Sequence, residues 1–320
     1  MTGPDGAAIA VAAVLGLIFG SFANVCIHRL PERRSVVRPG SACMACGRGI
    51  AWFDNIPVVS WLLLAGRCRA CGARIAPIYP LVEAACAVLL AALCARHGLS
   101  PRWAALGWLV VSIVILIPID LRHGILPDRV TLPGIAVGIA LSALSPDPGL
   151  GGSLRGAAAG ALVPLGVRSL YMAYASARSA LRRRGSRAEA PAAAAAGRPG
   201  DPSGGIAQDP AASPQAGPSG PPDEPPEHAE ERREGMGLGD VKMLAMVGAF
   251  LGAPMALLTM LLGSMMGALY VLPLVAAGRQ SMKSPVPFGP FLGVAALVAV
   301  FWGERIVGWY LGLVIAPPFG

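Results

Sequence analysis

The stretch Trp103–Asp120, WAALGWLVVSIVILIPID, carries a single charge, and that charge is its last residue. Crossing a hydrocarbon core of about 30 Å takes about 20 apolar residues, so this run reads as a transmembrane helix. Asp120 then stands at a membrane boundary, where a carboxylate is costly and asks for a role. The stretch Gly237–Gly252, GLGDVKMLAMVGAFLG, has the reverse arrangement: Asp240 opens an apolar run instead of closing one.

Outward from these two, the chain shows eight candidate spans, at approximately 7–27, 79–96, 103–120, 130–146, 153–175, 238–253, 255–277 and 289–315. The expected fold is an all-α polytopic membrane protein with about eight transmembrane helices. Composition agrees, with 54% apolar residues, 14% charged residues and a mean hydropathy of +0.60. A soluble domain carries roughly 25% charged residues. Residues Met1–Gly6 hold no Lys or Arg, and the apolar run after them exceeds a signal-peptide core, so it reads as a first span and not a cleaved signal.

The net charge of +8 raises nucleic acid as a partner, but its distribution argues for topology instead. All of the 26 Lys and Arg except Arg96, Arg102, Arg155 and Arg305 fall on one side when spans alternate. The positive-inside rule makes that side cytoplasmic. Both termini are then expected outside. Partners are the lipid bilayer and a substrate, not nucleic acid.

The expected organisation is a first span (1–27), a cytoplasmic cysteine-rich segment (28–78), spans two to five (79–181), a linker (182–235) and spans six to eight (236–320). The linker is dominated by Pro, Gly, Ala and Ser, and no aromatic residue lies between Ala175 and Ala249. Such a sequence buries too little apolar surface to offset chain entropy, which predicts a disordered cytoplasmic insertion without chemistry of its own.

Residues 28–78 are too polar for a self-sufficient core, and a metal would supply the missing stability. Cys43, Cys46, Cys68 and Cys71 form two C-x-x-C pairs with 21 residues between them. That is slightly longer than the zinc-ribbon spacing of about 15–20. On the cytoplasmic side disulfides are disfavoured, and four thiolates suit a closed structural Zn²⁺ site. A redox role is the alternative. Cys26, Cys86 and Cys94 lie in or beside apolar runs and read as packing residues.

Half of the 18 carboxylates lie in the linker, and only Glu83, Asp120, Asp240 and Glu304 lie in or at the edge of spans. Two spans separate Asp120 from Asp240, so the chain returns both to the cytoplasmic boundary at similar depth. Two close carboxylates share one proton, leaving one as base and the other as acid. That is what peptide hydrolysis requires. Gly237 and Gly239 would let backbone approach closely there. The plainer reading makes each aspartate a cap or boundary residue. No H-E-x-x-H or G-x-S-x-G motif offers a different hydrolytic centre.

Together these residues resemble the bacterial type IV prepilin peptidases, GxGD-type membrane aspartyl proteases. The resemblance rests on Gly20–Val25 with Arg29-Leu30-Pro31, Asn55-Ile56-Pro57, Ser60-Trp61 and Gly66-Arg67-Cys68. It continues through Tyr79–Glu83, Asp120 with Leu126-Pro127-Asp128, Gly237–Lys242 and Pro287–Phe291. The motifs cover nearly the whole chain in family order, and the linker is the main departure. The resemblance implies a multi-pass enzyme of the bacterial inner membrane. It implies cleavage of prepilin and pseudopilin leaders after Gly by Asp120 and Asp240, with Gly237, Gly239 and Lys242 positioning substrate or backbone. It further implies N-methylation of the new terminus from S-adenosylmethionine, with Gly66 and Arg67 as candidate contacts in the cysteine segment. Alternatives are a peptidase without methylation, a proton-coupled transporter, and a non-catalytic scaffold docking through the zinc segment.

Overall fold

The computed structural model describes residues 5–144, 147–195, 237–279 and 286–315, and among these every regular element is helical apart from two isolated β-bridges. The helices are α1 (Gly6–Arg29), α2 (Val59–Leu63), α3 (Ile78–His97), α4 (Pro101–His123), α5 (Asp128–Ser142), α6 (Gly149–Ala195), α7 (Leu238–Leu251), α8 (Ala253–Ala276) and α9 (Gly289–Ile315). A 3-10 turn, Trp52–Asn55, precedes α2. Among the described residues, six helices are long and apolar enough to cross a membrane: α1, α3, α4, α6 over its first 30 residues, α8 and α9.

The other two expected spans are present as shorter helices. At 1.5 Å per residue, α5 (15 residues) and α7 (14 residues) extend about 22 Å, less than a full hydrocarbon core. For α7 the reason is its place in the middle of the bundle, where from Asp240 to Phe250 every residue except Lys242 is buried. A helix shielded by protein need not match the bilayer.

α4 shows how the sequence sets its own limits. Ser100 caps it by accepting from the Trp103 N–H at 3.2 Å, and Pro101 occupies its first turn. Arg122 and His123 complement the dipole in the last turn. Gly124 ends it in the left-handed region (φ 64°), donating its N–H to the Asp120 carbonyl at 2.9 Å. Leu109, Ile113, Leu116 and Ile119 are fully buried, and α4 packs against α1, α3, α5, α7 and α9. By contrast α1 exposes Val11, Val14, Ile18 and Phe22 along one face, the lipid-facing pattern of an outer helix.

Small residues let helix backbones meet, as membrane bundles require. A side chain added at Gly20 would lie 2.6 Å from Glu83 Cα, so α1 presses directly on α3. One added at Gly160 would lie 2.6 Å from the Leu244 carbonyl carbon, so α6 presses on α7. The ends of α1, α3 and α4 converge: Ile27, Leu30, Val82 and Ile119 share one buried cluster with Ile78, Ile125 and Val130 packed on it. The cysteine segment therefore leaves the bundle at the end where α4 finishes and α5 starts.

The chain divides into two compact units, residues 1–165 with 238–320, and residues 166–237. In the second, the described residues continue α6 to Ala195, past the expected linker start at 182, with Val167, Leu170 and Tyr174 exposed. The expected linker from 196 onward lies outside the described residues.

Candidate active site and cysteine cluster

Asp120 sits in the last turn of α4, just beyond Pro118, and is buried. Its Oδ2 is, among the described residues, the one buried side-chain nitrogen or oxygen without a hydrogen-bond partner. Leaving such an atom unpaired is costly, and an oxygen kept bare in a packed interior points to chemistry. The start of α9 faces it. A Cβ on Gly289 would lie 2.6 Å from Oδ2, so only glycine admits the approach. Gly289 follows Pro287-Phe288 and is not among the site residues expected from sequence. Its signal was present in the Pro-Phe-Gly-Pro motif, but the motif does not say which residue it meets.

Asp240 is the third residue of α7, inside the first turn, so it is a first-turn acid and not a cap. It is buried. Its chain neighbours are held against the chain just beyond Asp120. A Cβ on Gly239 would lie 3.0 Å from Leu126 Cβ, leaving little space for a larger residue. Lys242 Nζ donates to Asp128 Oδ1 at 2.6 Å, tying α7 to the start of α5. The Leu126-Pro127-Asp128 loop thus clasps both sides of Asp240, and α4 packs on α7. Asp128, named in the sequence only as part of the Leu126-Pro127-Asp128 motif, is the partner of Lys242. Gly237 immediately precedes α7 in the chain.

The cysteines form two matching knuckles. In the first, Cys43 N–H donates to the Arg48 carbonyl and Gly47 N–H to the Cys43 carbonyl, both at 2.9 Å. In the second, Cys68 and Gly72 repeat the pattern with Ala73 and Cys68 at 2.8 and 2.9 Å. Gly47 and Gly72 both have φ 69°, the left-handed turn each knuckle needs. All four Sγ atoms lie within 4.8 Å of one another, and Cys43 and Cys71 Sγ are 3.9 Å apart. A tetrahedron with metal–sulfur bonds of about 2.3 Å has edges of about 3.8 Å, so the set fits a metal ion. All seven cysteines are free thiols. Backbone N–H groups of Cys46 and then Ala45 aimed at the sulfur bring Cys43 down to about 6. At Cys71 the Ala73 N–H pulls downward, but desolvation and the three other thiols outweigh it, pushing the group up to about 11.

Gly66 and Arg67 have structural work of their own. Gly66 has φ 66°, and a Cβ there would lie 2.9 Å from the Trp61 ring. Arg67 forms an antiparallel bridge with Arg74 at the foot of the second knuckle. Glu83, on α3, accepts from the Val58 N–H at 2.7 Å and so holds the cysteine segment to the bundle.

A separate cavity lies elsewhere. It measures 790 Å³ and is lined by Arg96, Arg102, Arg155 and Arg305 with Asp147 and Glu304. Arg102 stands eighteen residues before Asp120 on the same helix, about 27 Å away along its axis. The aspartate pair is the better candidate for hydrolysis because its residues are buried and held in place. The cavity acids are exposed, and Asp147 is paired with Arg102 at 3.2 Å.

Comparison with known proteins shows the family. The profile of the type IV leader peptidase family matches residues 103–272, and that of the bacterial peptidase A24 N-terminal domain matches residues 14–97. The chain belongs to the type IV leader peptidase family. The first match contains both Asp120 and Asp240, and the second contains all four clustered cysteines. A prepilin leader peptidase/N-methyltransferase of Aeromonas salmonicida is 31% identical over 94% of this chain and 93% of its own. One of Pseudomonas putida is 32% identical over 93% and 92%. One of Myxococcus xanthus reaches 46% identity, over 47% of this chain and 44% of its own. No solved structure matches the chain.

Proposed function

We propose that this chain is a membrane aspartyl endopeptidase that removes the leader of type IV prepilins and type II secretion pseudopilins after Gly, and then N-methylates the exposed residue. The observation that carries the peptidase reading is the bare, buried Oδ2 of Asp120 at the end of the bundle where Asp240 is clasped. One carboxylate of the pair takes a proton from water. The other, protonated, donates to the scissile carbonyl as the water oxygen adds. Collapse of the tetrahedral adduct breaks the C–N bond, and the leaving amine takes up a proton. The close backbone at Gly239 and Gly289 fixes the positions of α7 and α9 beside the carboxylates. Lys242, through Asp128, holds the start of α7 in register.

The cysteine set holds one structural Zn²⁺ that supplies folding energy to a segment with little core of its own. S-adenosylmethionine would supply the methyl group, with Gly66 and Arg67 as its proposed contacts in the cysteine segment, which leaves the bundle at the end that carries Asp120. That end faces the cytoplasm, with both termini outside and the protein in the bacterial inner membrane. The gathering of the four exceptional arginines, Arg96, Arg102, Arg155 and Arg305, at the other end supports this orientation. The division into a first span, cysteine segment, spans two to five, linker and spans six to eight belongs to the same reading. Mass spectrometry of a prepilin incubated with membranes containing the protein tests it. Leader loss with methyl addition is expected, and an intact prepilin would overturn it.

A further inference from the structure

The cysteine segment is not uniformly polar. From Ile50 to Gly66, IAWFDNIPVVSWLLLAG, the only charged residue is Asp54. Arg69 neutralises it with two nitrogens, Nε at 2.8 Å from Oδ2 and Nη2 at 2.7 Å from Oδ1. The apolar side chains of this stretch turn outward: Trp52 and Leu63 are each 81% exposed, Leu62 64% and Phe53 48%. Apart from Asn55, which is exposed, the polar groups turn inward. Ser60 Oγ donates to the Phe53 carbonyl at 2.9 Å and accepts from the Ile56 N–H at 3.1 Å. Trp61 Nε1 donates to the Ile75 carbonyl at 3.1 Å. Apolar atoms outside and polar groups satisfied within is the arrangement lipid demands and water does not.

Depth points the same way. α3 has 20 residues and rises about 30 Å, the thickness of a hydrocarbon core. Val58 is tied to Glu83, the sixth residue of α3, so α2 rides about 7 Å inside that helix's first residue. Interfacial elements bury their apolar face about 5–10 Å into the headgroup and acyl boundary. Trp is favoured there. Arg48, Arg67 and Arg74 flank the stretch, exposed and without an ion-pair partner among the described residues, where lipid phosphates would meet them.

We propose that residues 50–66 form an interfacial membrane element that lies in the leaflet beside α3, with Trp52, Leu62 and Leu63 inserted among the lipids of that leaflet. The cysteine cluster is then moored at the membrane surface and is not suspended in solvent. This holds whether or not the chain is a peptidase.

The test uses the full chain reconstituted in phospholipid bilayers and compares wild type with Trp52→Phe, so that the difference isolates Trp52 fluorescence. Lipids brominated high on the acyl chain are expected to quench that component several-fold more than aqueous acrylamide does. In the Trp52→Phe background, Leu63→Trp is expected to restore lipid-quenched emission. Quenching by acrylamide and not by bromines would show a solvated surface and overturn the proposal. Quenching by neither would show a protein-covered surface and overturn it equally.

Discussion

Lys242 Nζ lies 2.6 Å from Asp128 Oδ1, joining the second turn of α7 to the first residue of α5. The pair straddles Asp240 and completes the clasp begun by Leu126 on Gly239. Both partners are partly exposed, so the bond itself is worth at most about 1 kcal/mol of stability. Its use is registration.

Lys242→Ala and Asp128→Ala are therefore expected to lower leader cleavage by about 3- to 10-fold each with little change in unfolding temperature. The double variant is expected to lose no more than either alone, the sign of a coupled pair. A double-mutant cycle on initial cleavage rates checks this. Additive losses would separate the two residues.

Gly289 is expected to tolerate no side chain. Gly289→Ala would push a methyl to 2.6 Å from Asp120 Oδ2, so the carboxylate or the start of α9 must move. A displacement of about 1 Å can cost about 100-fold in rate. Cleavage is expected to fall by about that factor while membrane insertion, read by fractionation, is unchanged.

The two aspartates stood out in the sequence as candidates because charge is scarce in apolar runs, and the helices were legible because α4 and α1 carry long uncharged stretches. Gly289 and the role of Asp128 were not legible. Each depends on a contact between distant parts of the chain, and no local pattern encodes which loop meets which helix end. The stretch 50–66 was absorbed into a segment read as polar because arginines on either side dominate its average composition. Its outward-facing Trp52 and Leu63 appear only once Ser60, Trp61 and Asp54 are seen to satisfy one another's neighbours inside. The length of α7 was overestimated for a related reason: burial by protein relaxes the need to match the bilayer.

The cysteine geometry predicts about one Zn²⁺ per chain in purified protein, because four thiols gathered within 4.8 Å bind Zn²⁺ in preference to harder cations. Cys43→Ser with Cys46→Ser is expected to abolish the metal and to expose the segment to limited proteolysis. Elemental analysis by mass spectrometry checks the first, and a protease time course the second. Metal-free wild-type protein with four reactive thiols would contradict the site.

The central claim is that Asp120 and Asp240 act as one pair. Neither can replace the other, because one must hold a proton while the other takes one. The most direct test is a leader-cleavage time course on a prepilin, comparing wild type with Asp120→Asn and Asp240→Asn at matched membrane abundance. Each variant is expected to insert normally and to lose cleavage by at least about 100-fold. Near-normal cleavage by either variant would contradict it.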